Sequence, residues 1–165
     1  MSCLGVHFSV EEVNIERLRS LSSDEERLEY VQEHLEEELY GTEHSAASDK
    51  AWDAMHRALA DGYLTWDGGE YPLNHTILGG ELLYSGDDYI MSLKSPSQVA
   101  DIANSLEALD MEAFRKRYFA IPPQDYDVDL DDEDFEYTWS WFEDVQKFYR
   151  RAATDERYVL FTADQ

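Results

Sequence analysis

The chain has 165 residues, with 13 Lys+Arg against 37 Asp+Glu and a formal net charge of -24. One domain is expected at that length. So acidic a chain is repelled by nucleic acid phosphates and by anionic membrane surfaces, which argues against direct binding to either. The single cysteine, Cys3, excludes an internal disulfide and a multi-thiolate zinc site, and the start of the chain shows neither a basic leader nor a membrane-length apolar run. A cytoplasmic protein in a reducing compartment is the expectation.

Leu4, Val6, Phe8 and Val10 alternate with Gly5, His7 and Ser9, the period of a strand with one buried face. Ile15, Leu18 and Leu21 then form a short helical stripe within Glu11 to Ser20 and just beyond it. Ser22 and Ser23 precede Glu25 and Glu26 at capping-box spacing, and Leu28, Val31, Leu35 and Leu39 predict an amphipathic helix ending near Gly41. Its outer face carries Glu29, Glu33, Glu36 and Glu37. Thr42 to Ala47 reads as a loop, followed by a helix capped by Ser48 or Asp49 and ending at Gly62, with Trp52, Met55, His56 and Leu59 inward.

From Tyr63 to Gly86 no periodicity dominates; Asp67-Gly68-Gly69 marks a turn, and Leu73, Ile77 and Leu78 supply apolar anchors. Tyr89, Met91 and Leu93 predict a strand, and Ser95-Pro96 opens a helix through Val99, Ile102, Ala103 and Leu106. Asp110 starts another, with Phe114 and Tyr118 inward. Pro122-Pro123 ends it, and the acidic run from Asp125 to Asp134 reads as an extended edge. A long helix then carries two stripes, one with Phe135 and Phe142 and one with Val145 and Phe148, before a closing strand from Tyr158 to Thr162. The elements predict one α/β domain over residues 1–165, a small mixed sheet flanked by helices.

Several of these segments together resemble the YfbM-like family of uncharacterised bacterial proteins, the domain of unknown function 1877. They are Asp49 to Leu59 with Trp52 and His56, Tyr71-Pro72-Leu73 followed by Ile77-Leu78-Gly79-Gly80, Ser95 to Val99, and Phe148 to Ala152. The opening Leu4-Gly5-Val6-His7-Phe8 fits as well. The resemblance implies a cytoplasmic layered α/β domain whose biochemical role is not established. The chain departs from it at Met55, where leucine is usual, and at Gly86-Asp87-Asp88-Tyr89, where relatives often carry Gly-Pro-Ala-Arg.

Trp52, Asp53 and His56 form the strongest chemical constellation, because residues four apart share a helix face and the imidazole titrates near neutral pH. No nucleophile or second base is spaced with them, so a buried histidine stacked on Trp52 and bonded to backbone is the plainer expectation. His75 ahead of Gly79-Gly80 is the second candidate, since paired glycines allow close approach of backbone to a ligand. Asp125, Asp127, Asp129, Asp131, Glu133 and Glu136 fall on calcium-loop positions, but Leu130 stands where that loop needs glycine. No catalytic set, metal site or cofactor is assigned.

Two functions remain. One is a non-enzymatic domain whose acidic surface binds a basic protein, as an inhibitor or immunity-type binder does. The other is a small-molecule-binding or enzymatic domain with a pocket near Trp52, His56 and His75. A filled core there favours the first.

Overall fold

A computed structural model describes residues 3–165. Five strands form one sheet in the order β2-β1-β5-β4-β3: β1 (Gly5–Val10), β2 (Ser45–Asp49), β3 (Glu81–Leu82), β4 (Tyr89–Lys94) and β5 (Tyr158–Asp164). The α/β layering holds, and every pairing is antiparallel, so neighbouring strands alternate in direction across the whole sheet and no parallel pair is mixed in. Strands β1 and β5 pair along the whole of β1, from Gly5 opposite Ala163 to Val10 opposite Tyr158.

Both faces of this sheet are covered. On one side α1 (Glu12–Ser20), α2 (Asp24–Tyr30), a π-helical stretch (Val31–Leu35) and α3 (Glu36–Leu39) bury Ile15, Leu18, Val31 and Leu35 against Phe8, Val10, Met91, Leu93 and Leu160. On the other, α4 (Trp52–Leu59), α5 (Pro96–Glu107), α6 (Met111–Phe119) and α7 (Asp132–Thr154) enclose Ile90, Val159, Phe161 and Ala163. This double cover corrects the expectation that β1 has one buried face: His7 and Ser9 are as buried as Phe8 and Val10.

The strongest local signals hold. Ser23 accepts from the Glu26 amide, Ser95 and Gln98 form a capping box with Pro96 in the first turn, and Asp110 accepts from the Ala113 amide. In α7 both stripes are used: Phe135, Phe142, Val145, Phe148 and Tyr149 are buried, each large apolar side chain contributing about 1.5–3 kcal/mol.

Three segments differ from the sequence reading. Ser45 to Asp49 is strand β2, because these small residues lie flat beside β1, and Asp49 reaches the left-handed region at φ 48° to leave it. Helix α4 therefore begins later, after Ala51 with no side-chain cap, and ends at Leu59 rather than Gly62. Asp125 to Asp134 is no strand: a 3-10 turn (Pro123–Asp125) and coil lead to Asp131, which caps α7, and Val128 is exposed.

Candidate functional site

Trp52 lies across the start of β1. A side chain on Gly5 would meet the indole at 2.7 Å, so glycine makes this approach possible, and the indole N–H donates to the Cys3 carbonyl at 2.8 Å. Its ring partner is Phe161, at 5.7 Å between centroids, where stacking on His56 was expected. Asp53 holds Arg57 one turn on at 2.6 Å, and Arg57 is itself nearly buried. His56 has no exposed surface; its Nε2–H donates to the Thr65 carbonyl at 2.8 Å, and burial pushes its pKa down to about 4. It is a core histidine bonded to backbone, and neutral at physiological pH.

His75 stands half-buried beyond α4, its Nδ1 2.7 Å from the Asn74 side-chain oxygen and its ring edge-on to Tyr71. Gly79 and Gly80 do permit close approach, but of this chain's own backbone. A Cβ at Gly80, where φ is 138°, would lie 2.4 Å from the Leu93 carbonyl oxygen, and one at Gly79 2.5 Å from that of Asn74.

The segment between them carries four consecutive carbonyls, each met by a buried side chain. Thr76 accepts from His7 Nε2–H at 2.8 Å and from the Tyr149 hydroxyl at 2.6 Å. Ile77 accepts from Lys94 Nζ at 2.5 Å, and Leu78 and Gly79 share the Ser92 hydroxyl at 2.8 and 3.2 Å. A buried irregular segment must satisfy its backbone in this way, since no neighbouring strand or helix does so. Lys94 lies wholly inside, its ammonium 5.7 Å from the Phe161 ring centroid, and desolvation lowers its pKa. Burial, with Lys94 nearby, drives His7 down to about 3. Sequence reading missed this group because Ser92 and Lys94 occupy the alternate positions of a strand, where polar residues ordinarily signal solvent.

Among the described residues no group of three or more His, Cys, Asp or Glu is placed to hold a metal ion. The acidic run is engaged locally: Asp131 caps α7, Asp132 pairs with Arg115, and Asp134 accepts from both Tyr118 and Tyr126, at 2.5 and 2.8 Å.

The cleft that sequence reading missed opens at one end of the sheet, where β1 and β4 begin and β2 and β5 end. Its volume is about 450 Å³, and Glu36, Tyr40, Asp49, Tyr89, Trp141 and Asp164 line it. The π-helical stretch just before Glu36 widens the helix by a residue and rotates the succeeding turn, so Glu36 is half-buried in the cleft while Glu29, Glu33 and Glu37 stay exposed. That corrects its assignment to the outer face. Burial raises the Glu36 pKa, the Asp164 charge raises it further, and the neighbouring Tyr89 hydroxyl offsets part of the rise. Tyr89 is 5% exposed, and its hydroxyl makes no hydrogen bond of normal geometry. Burial is the main cause that raises its own pKa.

Comparison with solved structures finds YfbM from Escherichia coli, described as a protein of unknown function. It is similar over 97% of this chain and 99% of that one, with a TM-score of 0.71 and 20% sequence identity, a likeness of fold. No curated protein matches. The profile of the family described as a domain of unknown function, DUF1877, matches residues 1–162, so the chain belongs to that family.

Proposed function

We propose that this protein is a non-enzymatic interaction domain whose acidic surface binds a basic protein, in the manner of an inhibitor or immunity-type binder. The observation that carries the reading is how the chain uses its few cations. Arg19, Arg27, Arg57, Arg115, Arg150, Arg151 and Arg157 all pair with carboxylates of the same chain, while Lys94 is turned inward onto carbonyls. Glu29, Glu33 and Glu37 stand exposed on one helical ridge with no ion-pair partner among the described residues. Such a field raises the encounter rate with a positively charged surface.

The filled interior around Trp52 and His56 supports this reading over a ligand pocket at that place. Capture of cytoplasmic proteins on the immobilised chain, at about 50 mM and about 500 mM NaCl, tests it. A basic protein retained at low salt and released at high salt is the expected result, and the retained protein must then bind the purified chain alone. Retention only of neutral or acidic proteins, indifferent to salt, contradicts it.

A further inference from the structure

The cleft at the sheet's end joins two kinds of wall. Carboxylates of Glu36, Asp49 and Asp164 supply negative charge, and the rings of Tyr40, Tyr89 and Trp141 supply apolar and π surface. A small hydrated metal ion uses only the first, and the described carboxylates do not converge as a metal site. A neutral ligand uses only the second. An organic cation on an alkyl stem uses both, the charge beside carboxylate and the stem or guanidinium plane against aromatic rings. The volume of about 450 Å³ falls in the range of roughly 300–1,000 Å³ usual for small-ligand sites.

Two further features point to an occupant. The Tyr89 hydroxyl is buried on the cleft wall near Glu36 and Thr162 but makes no hydrogen bond of normal geometry, so its oxygen is open to a donor from an occupant. Glu36 is half-buried within range of a second carboxylate, Asp164, and has no ion pair among the described residues.

We infer that the cleft receives a single alkylammonium or guanidinium group, the side chain of a lysine or arginine presented by a basic partner. The source of the cation rests on the function proposed above; the chemistry of the cleft does not. The bound cation lies beside Glu36, its N–H groups donate to that carboxylate and to the Tyr89 oxygen, and its stem runs along Tyr40 and Trp141.

Titration of the isotopically labelled protein, followed by amide and indole NMR shifts in about 150 mM NaCl, tests this directly. The probes are N-acetyl-arginine methylamide, N-acetyl-lysine methylamide and the neutral isostere N-acetyl-citrulline methylamide. One or both cationic amides should shift Gly5, Val6, Ala163 and the Trp141 indole, and the stronger of the two names the side chain; the citrulline compound should shift none of them. Glu36→Gln should weaken the cationic probe by about 10-fold or more, the loss expected for a charge-assisted hydrogen bond. Tyr40→Ala, at an exposed ring, should weaken it several-fold, while Glu29→Gln/Glu33→Gln/Glu37→Gln should change it by less than about 2-fold. Equal response to citrulline, shifts spread along the exposed acidic ridge, or full affinity in Glu36→Gln would overturn the inference. Should the amides occupy the cleft while no basic protein is captured, the cleft stands and the partner reading falls. Should a basic protein bind while the amides leave the cleft unshifted, the reverse holds.

Discussion

Lys94 donates from Nζ to the carbonyl oxygen of Ile77 at 2.5 Å, with neither residue exposed. A lysine is rarely placed inside a protein. Here it compensates for a buried segment that has no regular partner, together with His7, Ser92 and Tyr149 on the adjoining carbonyls.

Lys94→Met keeps most of the side-chain volume but strips the donor. The mutant should lose about 1–3 kcal/mol in denaturant unfolding, the cost of an orphaned buried carbonyl. A mutant as stable as the parent would mean that the desolvation of the ammonium cancels the benefit of its hydrogen bonds.

The buried histidines give stability a defined pH dependence. His7 and His56 are held below 6.5, at about 3 and about 4, so the unfolded chain binds more protons than the folded one between those values and 6.5. Their stabilising effect is complete above pH 6.5 and is lost as pH falls toward 4. The window from about pH 6.5 to 5 lies above ordinary carboxylate titration. Within it the lowered Lys94 adds to the fall and the raised Glu36 carboxyl opposes it, and His56→Gln isolates the histidine share. Urea unfolding should show stability falling by roughly 1–3 kcal/mol across that window, with a shallower fall in His56→Gln. Rising stability on acidification through it would refute the assignment.

Glycine positions separate crowding from backbone strain. Gly41 and Gly80 both have positive φ, at 79° and 138°, but a Cβ at Gly41 meets nothing within 4 Å while one at Gly80 meets the Leu93 carbonyl. Gly41→Ala should cost about 1 kcal/mol, and Gly80→Ala clearly more. Equal melting temperatures for the two would place the cost in backbone conformation alone.

The acidic run offers calcium little. Asp131, Asp132 and Asp134 are committed to a helix cap, to Arg115 and to two tyrosines. Calorimetry in physiological salt should find weak binding with no preference for calcium over magnesium. Stoichiometric micromolar binding would contradict this. Asp134→Ala should lower stability by about 1–3 kcal/mol, since it leaves two partly buried phenols without their acceptor.

Capping residues and helical stripes were legible because they are local: Ser23, Ser95 and Asp110 announce their helices, and the two stripes of α7 announce cover on two sides. The cover of the sheet was not, because His7, Ser9, Ser92 and Lys94 imitate a wetted strand face, and only the tertiary path of residues 76–79 gives His7, Ser92 and Lys94 acceptors, while Ser9 meets His44. Strand β2 was hidden by its Ser-Ala-Ala-Ser composition, which has little β-propensity of its own. The cleft is assembled from separate parts of the chain, and a shift of register after the π-helical stretch turned Glu36 toward it, so no spacing in the sequence displays it.

Whether the negative surface serves association with a basic partner is decided by stopped-flow association kinetics of the captured partner across a salt series. The comparison is between the parent chain and Glu29→Gln/Glu33→Gln/Glu37→Gln, which leaves the buried residues intact. The association rate should fall steeply with salt, be slower in the variant at low salt and converge with the parent's at high salt, while dissociation changes little. Association rates that ignore both salt and the substitutions would contradict that role.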